Sequence, residues 1–151
     1  MKISMSSDAY HPLISKLHEA LSQRSHELLY FGPKEGEEEQ NWTTVTEQAI
    51  RKVVEGETQE AIVLCWTGTG CSILANKFPG IRAALCIDEE TARGARLYNH
   101  ANVLALSLRL TPLESVDAIL RGWFETPITR DPWNLSQIEH LSSIESSFLK
   151  R

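Results

Sequence analysis

Short apolar runs alternate along this chain with stretches in which apolar residues recur every three or four positions. Lys2 to Ser6 reads as a short strand. Pro12 stands where a helix begins, and Leu13, Leu17, Ala20 and Leu21 give it one apolar face. Glu27 to Phe31 reads as a second strand, closed by Gly32-Pro33. Residues 34–41 form a loop whose Glu37-Glu38-Glu39 cluster belongs in solvent. Ala49, Ile50, Val53 and Val54 mark a helix ending near Gly56. Ala61 to Cys65 is a continuous apolar run, the pattern of a strand covered on both faces.

A Gly-rich turn follows, then a short helix over Ser72 to Lys77, a buried strand over Ile81 to Cys86 and a helix over Glu89 to Leu97. Val103 to Leu106 is the fifth strand, and Pro112 to Phe124 is helical. After Pro127 and Pro132, the residues Leu135, Ile138, Leu141, Ile144 and Phe148 predict a long amphipathic helix over 132–151. It either packs on its own domain or reaches a partner subunit. Strands alternating with helices predict an α/β, Rossmann-like, doubly wound five-stranded parallel sheet with helices on both faces. No internal repeat or second domain is visible, so residues 1–151 read as one domain.

With 151 residues the chain can bury a core. A composition of 42% hydrophobic and 23% charged residues is that of a soluble globular protein, and the net charge of −5 speaks against a nucleic-acid partner. No apolar run reaches membrane length. Cys65, Cys71 and Cys86 are odd in number and lack zinc-ligand spacing, so reduced thiols in a cytoplasmic protein without a bound metal are expected.

In a parallel sheet, ligands sit beyond the carboxyl ends of the strands. Cys65-Trp66-Thr67-Gly68-Thr69-Gly70-Cys71-Ser72 lies at that edge. Gly68 and Gly70 let the backbone turn tightly and present several N–H groups together, an anion cradle with a thiol at its lip. A dinucleotide site would need a third glycine where Ile73 stands. A cysteine phosphatase would need an arginine where Cys71 stands. Proton abstraction beside a carbonyl needs only a thiolate and N–H groups to hold the resulting oxyanion. Taken alone, a cysteine ending a buried strand is more often a small core residue.

A denser pattern surrounds the loop. Cys65, Thr67, Gly68, Gly70, Ser72 and Ala75-Asn76-Lys77 are followed by Gly80-Ile81-Arg82-Ala83-Ala84-Leu85-Cys86, then Asn99, Ala101 to Ala105 and Arg109. This resembles the ribose-5-phosphate isomerase B and galactose-6-phosphate isomerase family, whose pattern here is C-G-T-G-x-G-x-S-x-x-A-N-K, G-I-R-A-A-L-C, then H-N-D-A-N-V-L-A and a following arginine. The resemblance implies an aldose–ketose isomerase acting on a pentose 5-phosphate (ribose 5-phosphate and ribulose 5-phosphate) or a related sugar through an enediolate, with no cofactor. It implies a homodimer or homotetramer with shared active sites. An inactive sugar-binding homologue, or one subunit of a two-component isomerase, is the alternative.

Carried over residue by residue, the resemblance makes Cys65 the base and Thr67 its assisting hydroxyl. Trp66, Gly68, Thr69 and Gly70 supply the N–H groups around the enediolate. Asp8 meets sugar hydroxyls, Asn99 meets substrate and Arg109 the phosphate. The chain departs from the family at several places. Asp8-Ala9-Tyr10-His11 stands for D-H-A-G, Tyr98 replaces the ring-opening histidine, and Trp66 replaces a glycine. Of the C-terminal arginines only Arg130 lies in the right region. His11, Tyr98 and His100 are therefore candidate substitutes for the lost acid.

Overall fold

A computed structural model describes residues 1–149. Its elements are β1 (Lys2–Ser7), α1 (Pro12–Gln23), β2 (Glu27–Phe31), α2 (Trp42–Val54), β3 (Glu60–Cys65), α3 (Thr69–Ala75), β4 (Ala83–Leu85), α4 (Glu89–Asn99), β5 (Val103–Ser107), α5 (Val116–Phe124) and α6 (Pro132–Leu149). A 3-10 turn over Leu113–Ser115 leads into α5. The five strands form one parallel sheet in the order β2-β1-β3-β5-β4, as the alternation predicts.

The strands sort large from small side chains. Ile62, Leu64, Leu104 and Leu106 face one side and pack with Leu13 and Leu17 of α1, Ala92 of α4, and Ile119 and Trp123 of α5. Ala61, Val63, Val103 and Ala105 face the other, where Ala49 and Ile50 of α2 and Cys71 and Ala75 of α3 cover them. Small strand residues let α2 and α3 approach closely, and strand alternation puts Cys65 on this same side. At the amino end of β3, Glu60 is buried in an ion pair with Arg96 (2.9 Å), and Trp123 Nε1 donates to it at 2.7 Å.

Two elements differ from expectation. The predicted strand over Ile81 to Cys86 shrinks to three residues, because β4 is an edge strand pairing only with β5. On its open side the Asn76 amide bonds the N–H and C=O of Ala83, each at 2.9 Å, standing in for a neighbouring strand. Helix α6 forms but buries none of its residues, and Trp133 is 75% exposed. Its apolar residues recur mostly every third position. At 3.6 residues per turn, that spacing makes the stripe wind around the helix rather than hold one face. Its sequence-based range ran to residue 151; residues 150 and 151 lie outside the described residues. Among the described residues no helix is long and apolar enough to cross a membrane.

Candidate active site

The sheet order reverses between β1 and β3: β1 leads outward to β2, and the chain then crosses back to β3 on the other side. Such a switch point leaves a crevice at the carboxyl ends of the two strands. The register pairs Ser7 with Leu64, so one further step sets Asp8 beside Cys65. A cavity of about 260 Å³ opens there, lined by Asp8, Trp42, Cys65, Trp66, Thr67, Thr69 and Gly70.

Cys65 is 5% exposed, with Sγ on the lip of the loop. The loop is held in shape by β5. Leu108 N donates to Cys65 O at 3.0 Å, Ser107 Oγ to Trp66 O at 2.8 Å and Arg109 N to Trp66 O at 3.1 Å. With these carbonyls turned toward β5, the N–H groups of Cys71, Gly68 and Thr67 turn toward the Cys65 sulfur. The Cys71 thiol lies in the same packed cluster and donates to Gly68 O at 3.2 Å. The influence of the Cys71 side chain, followed by these N–H groups, outweighs burial and brings the Cys65 thiol down to about 5. Gly68 makes the turn possible with φ +75°. A Cβ there would lie 2.5 Å from Leu85 Cδ1 and 3.0 Å from the Leu106 carbonyl. Thr67 and Thr69 share a hydroxyl hydrogen bond of 2.7 Å at the cavity wall.

Across the cavity, Asp8 has one carboxylate oxygen buried with no hydrogen-bond partner. Burial, then the Cys65 charge, raise its pKa above the ordinary carboxylate value. Both groups therefore titrate as neighbours. The indole of Trp66 stands 60% exposed at the mouth. Trp42 forms the opposite wall, within 3.3 Å of where a Gly70 Cβ would stand. By its sequence alone Trp42 reads as a packing or interface aromatic; in the structure it lines the cavity. The clue was available: every strand-to-helix connection of a parallel sheet ends at the same edge, and Asn41 caps α2 there through Thr43 N (2.9 Å). Trp123, by contrast, is fully buried.

The remaining candidates do not join this cavity. His11 caps α1, its Nδ1 accepting from Leu13 N at 3.1 Å, and does not line the cavity. Tyr98, Asn99 and His100 sit at the carboxyl end of α4, which runs antiparallel to the strands and delivers the chain to the amino end of β5. Arg130 follows Thr129, whose N–H reaches Leu97 O at 3.4 Å, so it lies beside that same helix end. There His100 adopts φ 50° and its Nε2 is buried with no partner, while Arg82 Nε donates to its carbonyl at 3.0 Å. Arg109 stays at the carboxyl edge, exposed beside the Trp66 loop. The candidates thus form two groups at opposite ends of the sheet. One holds Asp8, Cys65 to Gly70 and Arg109. The other holds Tyr98, Asn99, His100 and Arg130. Among the described residues no cluster of three or more His, Cys, Asp or Glu side chains could hold a metal ion.

Comparison with known proteins matches both the sequence and the fold. Residues 3–140 fit the family model described as Ribose/Galactose Isomerase. Ribose-5-phosphate isomerase B of Escherichia coli is 42% identical over 76 residues, covering 50% of this chain and 51% of that one. The chain spans about half the length, or less, of the first curated relatives it matches. Solved structures match over nearly the whole chain. Ribose-5-phosphate isomerase B of Clostridium thermocellum superposes with a TM-score of 0.89 at 33% identity, covering 98% of this chain and 99% of that one. The Mycoplasma genitalium ribose-5-phosphate isomerase B, solved with bound ribulose-5-phosphate, gives 0.86 at 25% identity, covering 96% of each. The family model spans both groups of candidate residues and all five strands, and the chain belongs to the ribose/galactose isomerase family.

Proposed function

We propose that this chain is an aldose–ketose isomerase acting on a pentose 5-phosphate, the ribose 5-phosphate and ribulose 5-phosphate pair, or a related sugar, with Cys65 as its base. The observation that carries the reading is a low-pKa thiol and a partnerless carboxylate on one cavity at the switch point. With its pKa near 5, Cys65 is a thiolate at neutral pH and can take a proton without help.

The thiolate removes the proton from C2 of the open aldose. The C2–H electron pair forms the C1–C2 double bond, and O1 takes the negative charge. The N–H groups of residues 66–70 hold that charge, and Thr67 assists. Asp8 accepts hydrogen bonds from sugar hydroxyls through its free oxygen. The Cys65 thiol then returns the proton to C1 as C2 becomes the carbonyl, and the O2 proton passes to O1. The two indoles offer apolar faces to the C–H face of the sugar.

The separation of the two residue groups supports a homodimer, or a homotetramer of such pairs, in which one copy's Tyr98, Asn99, His100 and Arg130 complete the other's cavity. Tyr98, exposed at that helix end, and His100 are the two candidate ring-opening acids of this group. Cys65→Ser tests the base. It should lose nearly all interconversion of ribose 5-phosphate and ribulose 5-phosphate while keeping the circular dichroism of the parent. Near-parental turnover would remove Cys65 from the mechanism.

A further inference from the structure

We propose that Arg96 is a positioning residue: anchored on the amino end of β3, it fixes the connection from α4 to β5 and so places Asn99 and His100 for the neighbouring copy's cavity. This rests on the shared-site reading above. Arg96 lies in the last turn of α4, three residues before Asn99 and four before His100. Its side chain turns to the interior and is only 13% exposed. The two terminal nitrogens serve different partners. Nη2 pairs with the buried Glu60 carboxylate at 2.9 Å, and Nη1 donates to Ala101 O in the connection itself. Trp123 holds both members of the ion pair. Its Nε1 donates to the second Glu60 oxygen at 2.7 Å, and the guanidinium carbon stands 5.1 Å from the centre of its ring. Arg96 Nε is buried and, among the described residues, has no acceptor. A buried donor without an acceptor is unfavourable, so the two Nη contacts and the ring set this arrangement, not Nε.

The connection is a place that needs an anchor. His100 stands at φ 50°, a left-handed conformation that a side chain with a Cβ keeps only where its surroundings hold it. Ala101 N returns to Ala95 O at 3.0 Å and closes the helix. Two consecutive carbonyls are then held by two guanidinium groups: His100 O by Arg82 Nε at 3.0 Å, and Ala101 O by Arg96. Of the two, Arg96 is the one paired with a buried charge of the central sheet. Glu60 is the first residue of β3 and Cys65 the last, so a single strand carries the base at one end and the anchor of Asn99 and His100 at the other. A buried ion pair is costly to desolvate and adds little net stability over well-packed apolar side chains. The geometry that Glu60 and Arg96 fix accounts for the pair better than stability does.

The test uses Arg96→Lys and Arg96→Met in the full chain. Lysine keeps a charge opposite Glu60, but its single ammonium lacks the fork that reaches Ala101 O as well; methionine loses both bonds. Both should lower kcat/KM for ribose 5-phosphate by roughly tenfold to a hundredfold. A merely structural loss spoils every site the variant chain enters. A positioning loss spoils only the site to which that chain lends Asn99 and His100. Each variant is therefore co-expressed with Cys65→Ser under a second affinity tag, and the heterodimer is isolated by two-step capture. Its one intact site should return about half the parental kcat per dimer. The heterodimer with Asn99→Ala should stay as inactive as its parents, because each of its sites then receives one damaged group. Near-parental kcat/KM in Arg96→Lys overturns the proposal. So does an Arg96→Lys heterodimer with Cys65→Ser that is no more active than the mean of its parents. The lysine variant decides alone if Arg96→Met fails to fold. Failure of the shared-site reading shows elsewhere, in the heterodimer of Cys65→Ser with Asn99→Ala, where Arg96 is intact. If that control recovers nothing, the present proposal falls with it.

Discussion

If two copies share each site, two inactive chains should rescue one another. Cys65 ends β3 at the carboxyl edge, and Asn99 ends α4 at the amino edge. Between those edges lies β5, five residues long. At about 3.3 Å per residue that is roughly 16 Å, beyond the reach of an asparagine side chain. Within one chain Asn99 and Cys65 cannot touch the same small sugar. In an isologous dimer, however, each surface meets its counterpart reciprocally. Co-expressing Cys65→Ser with Asn99→Ala under different affinity tags yields a heterodimer that two-step capture isolates. One of its sites carries both lesions and the other carries neither. The purified heterodimer should therefore show about half the parental kcat per dimer, while each variant homodimer is nearly inactive. A heterodimer no more active than the mean of its two parents would show that the residues do not act across copies, and the shared-site proposal would fall.

Activity should titrate with an acid limb of kcat/KM near pH 5, since Cys65 must be ionised to act; the apparent value belongs to the Cys65–Asp8 pair. Because the folded pKa of Cys65 lies below its ordinary value of 9.0, its contribution to stability is complete above about pH 9 and fades as pH falls toward 5, which urea midpoints across that range would register. Gly68→Ala forces an L residue to φ +75° and drives its Cβ against the Leu106 backbone, costing about 2–5 kcal/mol in urea unfolding. Gly80→Ala, at the same φ with nothing within 4 Å, should cost only about 1–2 kcal/mol, and equal losses at the two positions would refute the steric argument. Arg109→Ala should lower kcat/KM for the phosphosugar by roughly tenfold to a hundredfold while sparing its unphosphorylated counterpart, and an unchanged ratio would free Arg109 from the phosphate role.

Much of this architecture was legible because the fold writes itself in apolar periodicity. The run Ala61 to Cys65 could only be an inner strand, and the Gly68 turn could only follow it. The resemblance then brought Asp8, Cys65 and Arg109 to one edge, where the register holds them. What stayed hidden depends on neighbours distant in sequence. Trp42 reads as one more packing aromatic until β2 is placed at the edge of the sheet next to β1, which brings the start of α2 to the cavity. His11 looks like a displaced catalytic histidine, but its ring is committed to capping α1. The apolar stripe of α6 looks amphipathic by count, yet its three-residue spacing winds around the helix. Nor does any local pattern say that Asn99 and Cys65 fall at opposite ends of the sheet; that follows from the direction of α4 and the crossover into β5.

The same division bears on how an anionic sugar could be held at all. The chain carries a net charge of −5, so long-range attraction does not bring a phosphate to it. The cavity adds the Cys65 thiolate and, beside it, the Asp8 carboxyl group, whose pKa is raised by burial, by Cys65 and by Glu39 of the neighbouring loop. Against these, the carboxyl edge offers Arg109. A phosphate placed there by one chain alone meets a single guanidinium beside the loop N–H groups. The other residue group changes that balance, because Arg130 stands beside the end of α4 and Arg82 is bonded to the carbonyl of His100 there. Under the shared-site proposal, the cation that Arg109 lacks as a partner arrives with the second copy. Phosphosugar binding and assembly are then linked: whatever strengthens one strengthens the other. On that proposal the catalytic carbon needs only the thiolate and its loop, which one chain supplies whole, whereas the phosphate needs the pair.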